Sequence, residues 1–250
     1  MVALAFQAVL ILRMVFPRAS LERRRALNGW WSAKLARVLG ISIEVEGDPP
    51  PPGGAVVAAN HVSWLDIFAL QAVHPVRFVA KSEVRDWPLA GWIAERAGTL
   101  FIRRGFRREA ARTNEHVHAA LAQGDCVGIF PEGTTTDGDT LLKFHASLFE
   151  PAVADGVRVH PCAIRYQHAD GSLCRAVAYV GDLSFMQSLG LAIRQRGVIV
   201  RLRFAPALET AGSARRDVAA ATRARIASLL GLPPQDTPSR TPADRSSAPR

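Results

Sequence analysis

The stretch Ala55-Val56-Val57-Ala58-Ala59-Asn60-His61-Val62-Ser63-Trp64-Leu65-Asp66 sets an apolar run, a turn and a helix start in one line. A strand leaving a sheet at Ala59 places His61 in the following turn and Asp66 at the start of the next helix, where the two side chains can meet. Imidazole titrates near neutrality, and a nearby carboxylate fixes its tautomer and steadies the cation formed when it takes a proton. Such a pair can deprotonate a hydroxyl, and no protein nucleophile is needed when that hydroxyl belongs to the substrate. His61 and Asp66 are therefore the candidate catalytic residues. The bland alternative is a turn histidine capped by an aspartate. Ser63 reads as a turn residue rather than a nucleophile.

Working outward, a second apolar run, Cys126-Val127-Gly128-Ile129, leads into Phe130-Pro131-Glu132-Gly133-Thr134. This cluster lies at the carboxyl end of a second strand, the edge at which open α/β sheets bind ligands. Gly133 allows close backbone approach, and Glu132 and Thr134 can hydrogen-bond or orient polar groups. In isolation a solvated turn is the alternative. Around the two clusters strands and helices alternate. Helix is expected over 65–73, 88–97, 107–123 and 214–230, and strand over 41–46, 76–80, 99–103, 126–130, 158–166, 176–180 and 198–204. The alternation predicts an α/β fold with a mixed, mainly parallel sheet covered by helices.

Together the two clusters resemble the lysophospholipid acyltransferases, the glycerolipid acyltransferase family marked by His-x4-Asp. Two further blocks occur in family order. Gly98-Thr99-Leu100-Phe101-Ile102-Arg103-Arg104 is similar to the second motif, an apolar strand ending in an arginine that meets the acceptor head group. Arg104 matches that arginine, and Arg103 stands where many members carry aspartate. Val159-His160-Pro161-Cys162-Ala163-Ile164 is similar to the fourth motif, in which Val159 and Pro161 would line the acyl side. The resemblance assigns Glu132, Gly133 and Thr134 to acceptor binding. It implies an enzyme of the 1-acylglycerol-3-phosphate acyltransferase type. A fatty acyl chain would pass from acyl-CoA or acyl-carrier protein to the hydroxyl of lysophosphatidic acid, forming phosphatidic acid, with no metal or prosthetic group. Backbone N–H groups near Gly133 or in the Asn60-His61 turn are the candidates for holding the oxyanion.

The departures from the family bear on the acceptor. Many phosphatidate-forming members continue Phe-Pro-Glu-Gly-Thr-Arg-Ser, whereas here Thr134-Thr135-Thr136-Asp137-Gly138 puts Thr135 in the place of the arginine. A hydroxyl gives one neutral hydrogen bond, and guanidinium a charged bidentate clamp on phosphate. Phe144-His145 stands where members usually show Phe-Lys. These changes resemble the subgroup that includes lyso-ornithine-lipid acyltransferases, whose acceptor carries no phosphate. Should phosphate be bound, Arg103, Arg104, Lys81 and Arg107 are the residues expected to meet it. A noncatalytic lipid-binding protein at the membrane surface, and a hydrolase, are the readings from other classes.

At 250 residues the chain suits one domain with a substantial core. A net charge of +9 favours an anionic partner. Nucleic acid is disfavoured by the lack of zinc-finger spacing or an aromatic RNP-like strand. There is no GxxxxGK[ST] and no GxGxxG. Cys126, Cys162 and Cys174 lack Cys-x-x-Cys spacing and read as buried thiols of a reducing compartment. Residues 1–16 are mostly apolar but shorter than the roughly 20 needed to span a bilayer. Arg23-Arg24-Arg25 and Trp30-Trp31 follow, and the whole suits an interfacial anchor on anionic lipid. A helix packed on the core is the alternative. The expected organisation is a membrane-associating helical segment over 1–40, an acyltransferase domain over 41–230 and a disordered tail over 231–250. The expected site is the cytoplasmic face of the inner membrane, in monotopic or peripheral attachment.

Overall fold

Seven strands form one sheet in the order β1-β7-β6-β2-β5-β3-β4. The computed structural model describes residues 6–7, 9–86, 90–102 and 107–233, with backbone alone at 81, 90, 93, 102 and 107–113. The strands are β1 (Ile41–Glu46), β2 (Ala55–Ala59), β3 (Val76–Lys81), β4 (Leu100–Ile102), β5 (Cys126–Ile129), β6 (Val159–Gln167) and β7 (Val198–Phe204). Neighbours pair in parallel except β6 with β7. Among the described residues the α-helices α1 (Leu21–Val38), α2 (Leu65–Val73), α3 (Ala90–Arg96), α4 (Arg107–Ala122), α5 (Glu150–Asp155), α6 (Phe185–Arg194) and α7 (Arg215–Leu230) accompany them, preceded by a π-helical turn at Ile11–Val15. The fold is the mixed, mainly parallel α/β sheet that the alternation predicts.

Small and β-branched residues make β2 the centre. All five of its side chains are buried, as a strand needs when helices cover both faces. Val57 and Ala59 point into a core shared with α1 and α2, whereas Val56 and Ala58 face α4 and α7. On β7 the buried side chains alternate with Ile199, Arg201 and Arg203. Parallel pairing sets Glu44 beside Arg201 and Glu46 beside Arg203 on the edge strand β1. Ion pairs of 2.7 Å (Arg201–Glu44) and 2.8 Å (Arg203–Glu46) follow. At an exposed edge such pairs add little stability, but the charges discourage a further strand from docking.

Connections diverge beside β2. Its chain runs through α2 to β3 on one side, while β5 leads through α5 to β6 on the other. The carboxyl ends of the adjacent strands β2 and β5 therefore open a crevice at a topological switch point.

Two expectations need correction. The run 176–180 is not a strand: Arg175–Val177 forms a 3₁₀ turn that buries Val177. Its backbone is used elsewhere, because Tyr179 N–H donates to Val62 C=O at 2.9 Å. Helix α6 was not foreseen, although Ser184 and Gln187 make a full capping box at its start. The tail from 234 and residues 103–106 lie outside the described residues.

The three cysteines are free and buried. Burial pushes the Cys126 thiol up to about 12 and the Cys162 thiol further in the same direction. The native protein is expected to resist a thiol-specific reagent at neutral pH and to label at all three positions once unfolded. Rapid labelling of the folded protein would contradict this burial.

Candidate active site

Asp66 is the hub. It stands in the first turn of α2, where the helix dipole favours negative charge, and it is fully buried. Its Oδ2 accepts from His61 Nδ1 at 2.8 Å, Val62 N–H at 2.7 Å and Ser63 N–H at 3.0 Å. Its Oδ1 accepts from the Tyr166 hydroxyl at 2.8 Å. A carboxylate can only accept, so Nδ1 of His61 carries the proton and Nε2 presents a lone pair. The His61 side chain keeps 20% of its surface exposed, while that of Asp66 is closed off. The arrangement is an oriented base with one open nitrogen.

Ring stacking sets the plane of the imidazole. His61 lies on Phe130 with centroids 4.0 Å apart and planes 13° apart, and Phe130 lies on Phe78 at 5.6 Å and 5°. This row crosses β5 at Gly128, where a Cβ would stand 2.7 Å from Phe78 and 2.6 Å from Val76. Only a residue without a side chain lets Phe78 approach so closely.

The backbone around His61 is held from several sides. Its N–H donates to Glu132 Oε1 at 2.8 Å, and its C=O accepts from Thr136 N–H at 2.8 Å. Asn60, fully buried, uses its amide to pair with both the N–H and the C=O of Ile164 at 2.7 and 2.9 Å. That pair continues the β2–β6 ladder by one rung through a side chain. Glu132 gives its second oxygen to Leu142 N–H at 2.8 Å. Burial pushes its carboxyl up, and the two amide donors partly hold it down. Oε1 thus ties the loop after β5 to the loop after β2, while Oε2 braces the loop after β5 within itself. A site fixed before substrate arrives spends little on reorganisation during the reaction.

The other expected residues are placed as follows. Gly133 takes a left-handed φ of 72°, and Thr134 is exposed beside it. Lys81 ends β3 at the same sheet edge as His61, with its side chain outside the described residues. Arg103 and Arg104 lie outside them altogether. Val159 and Pro161 are not brought to His61. Val159 pairs with Val56 and Pro161 with Ala58, and both are buried towards the amino half of β6. Val56 precedes His61 by five residues, about 16 Å at strand rise. Of the expected oxyanion donors, Gly133 N–H donates to Phe130 C=O and His61 N–H to Glu132.

Tyr166 was overlooked. A hydroxyl on a buried strand needs a partner, and that was the available signal. Burial, followed by the Asp66 charge, pushes its phenol well up, so it remains a donor. Tyr166→Phe removes the donor to Oδ1 and leaves the three on Oδ2. It is expected to cost about 1–3 kcal/mol in urea unfolding, with much of the activity retained because Oδ2 keeps its three donors. Unchanged stability would mean that the hydroxyl contributes nothing to holding Asp66.

Comparison with known proteins agrees with this geometry. The family model described as Acyltransferase matches residues 42–165, a span that includes His61, Asp66 and Glu132. The lyso-ornithine lipid O-acyltransferase of Pseudomonas aeruginosa is 40% identical over 78% of this chain and 75% of its own length. The 1-acyl-sn-glycerol-3-phosphate acyltransferase of Neisseria gonorrhoeae is 38% identical over 78% and 76% respectively. In fold, the chain is similar to the crystal structure of the 1-acyl-sn-glycerophosphate acyltransferase from Thermotoga maritima. The TM-score is 0.59 at 20% identity, covering 93% of this chain and 89% of that one.

Proposed function

The chain belongs to the acyltransferase family, and we propose that it transfers a fatty acyl chain from an acyl thioester to the hydroxyl of lysophosphatidic acid. The observation that carries this reading is the His61–Asp66 pair with its free Nε2 at the mouth of the switch-point crevice. Nε2 takes the proton of the acceptor hydroxyl as its oxygen attacks the thioester carbonyl. Asp66 stabilises the imidazolium. Collapse of the tetrahedral intermediate breaks the C–S bond, and the proton returns from Nε2 to the departing thiolate. A base of this kind contributes about 10²–10⁴ in rate. The chemistry is complete without a metal or prosthetic group. Acyl-CoA or acyl-carrier protein supplies the thioester.

A second reading, transfer to lyso-ornithine lipid, draws on Thr135. Its hydroxyl donates to the Tyr179 carbonyl, so this position offers no clamp for a phosphate, and Asp137 adds negative charge to the same loop. Relatives with the two acceptors stand at 40% and 38% identity, too close to choose between them. Incubating the purified protein with a labelled acyl donor and each acceptor separately decides. Turnover of lysophosphatidate is expected, and turnover of the ornithine lipid alone would overturn the first reading.

The proposed location is the cytoplasmic face of the inner membrane. Phe6, Leu10, Met14 and Trp30 are exposed apolar residues of the N-terminal segment, and Arg13, Arg18 and Arg23 stand among them. This is the composition of an interfacial anchor. Among the described residues no helix is long and apolar enough to cross a membrane.

A further inference from the structure

At the sheet edge opposite His61, before β3 and β5 begin, lies a cavity of about 250 Å³. Arg24, Arg25, Arg77 and Arg96 line it, with Asp125 as its acid and Phe16 and Leu21 as apolar wall. Cys126, the first residue of β5, is level with Ala55, six residues before His61, which puts the cavity about 20 Å from the reacting nitrogen. It is separate from the transfer site.

Asp125 organises the arginines. It is 2% exposed and accepts from Arg25 at one oxygen and from Arg77 at the other, the latter at 2.8 Å. Arg77 is further fixed by Nε to Gly98 C=O at 3.1 Å, and Arg24 by Nε to Phe16 C=O at 2.9 Å. Arg96 lies over the Trp92 ring. Braced in this way, the guanidinium groups are positioned before any ligand arrives. Among the described lining residues, four cations against one carboxylate leave an excess of positive charge around a void, which is unfavourable until an anion enters. Guanidinium matches phosphate by paired N–H donors.

We propose that this cavity binds the phosphate of an anionic phospholipid, as a head-group site distinct from the acyl-transfer centre. The choice of a lipid over a free anion rests on the wall. Phe16 and Leu21 belong to the segment that exposes Phe6, Leu10 and Met14, so a head group held by the arginines has apolar surface nearby for its chains.

The test uses the full chain and a water-soluble short-chain phosphatidylglycerol in calorimetric titration, with inorganic phosphate as a separate arm. Arg24→Gln and Arg96→Gln are the variants, because neither arginine pairs with Asp125. Each is expected to weaken lipid binding about tenfold, with unchanged thermal unfolding and unchanged turnover of detergent-dispersed substrates. Arg77→Gln is a third variant, read for binding only if it folds. Phosphate is expected to bind more weakly than the lipid. Binding of phosphate as tight as that of the lipid would overturn the choice of a phospholipid. Undiminished lipid binding in both Arg24→Gln and Arg96→Gln would overturn the site itself. Since His61 takes no part, neither result bears on the acyl-transfer reading.

Discussion

His61→Ala is expected to lower acyl transfer by about 10²–10⁴-fold while the protein stays folded. The ring supplies the open nitrogen of the pair, and alanine has none to put in its place. Folding should survive because Asp66 keeps three other donors: Val62 N–H, Ser63 N–H and the Tyr166 hydroxyl. Loss of the stack on Phe130 should cost about 0.5–1.5 kcal/mol. Initial rates with saturating donor and acceptor, set beside urea unfolding of the same preparations, give both quantities. A variant that keeps its rate within a few-fold would remove the imidazole from the chemistry.

Asp66 allows charge to be separated from hydrogen bonding. Asp66→Ala leaves two buried N–H groups, a buried hydroxyl and the imidazole N–H without an acceptor, an expected loss of about 3–5 kcal/mol. That is a large part of the 5–15 kcal/mol by which domains are usually stable. Asp66→Asn behaves differently. Its amide oxygen can face the three donors now on Oδ2, and its NH₂ can face Tyr166, whose hydroxyl rotates to accept. The backbone donors thus hold the amide in the orientation that keeps the proton on Nδ1. What disappears is the negative charge beside the imidazolium, worth about 4 kcal/mol near a protein surface. Transfer is therefore expected to fall about 10²–10³-fold in a protein that unfolds near the wild-type midpoint. Full activity in Asp66→Asn would show that orientation alone suffices.

The site was legible where its parts are close in sequence. His61 and Asp66 sit five residues apart across a strand–turn–helix junction, and that local geometry brings them together whatever surrounds them. The strands of the sheet were legible for a similar reason, since runs such as 55–59 and 126–129 carry their burial in composition. Partners distant in sequence were not visible. Tyr166 lies 100 residues from Asp66, and Asn60 lies 104 from Ile164; spacing says nothing about either contact. Glu132 was visible as a residue of the second cluster, but its engagement with His61 N–H depends on β2 and β5 being neighbours. Val159 and Pro161 mark the start of a buried strand, and motif order alone could not place them along its length. The 176–180 run has the composition of a strand and lacks a neighbour to pair with, because β7 already occupies the far side of β6.

The pairing of β1 with β7 has a consequence for biosynthesis. Ile41 finds its ladder partner in Val198, so on the ribosome the first strand emerges long before the second exists. At about 5–20 residues per second the interval is roughly 8–30 s. Throughout that time the amino-terminal segment is outside the exit tunnel while the edge it will later join is unmade. A nascent chain of this topology can reach a lipid surface before it can close its own sheet.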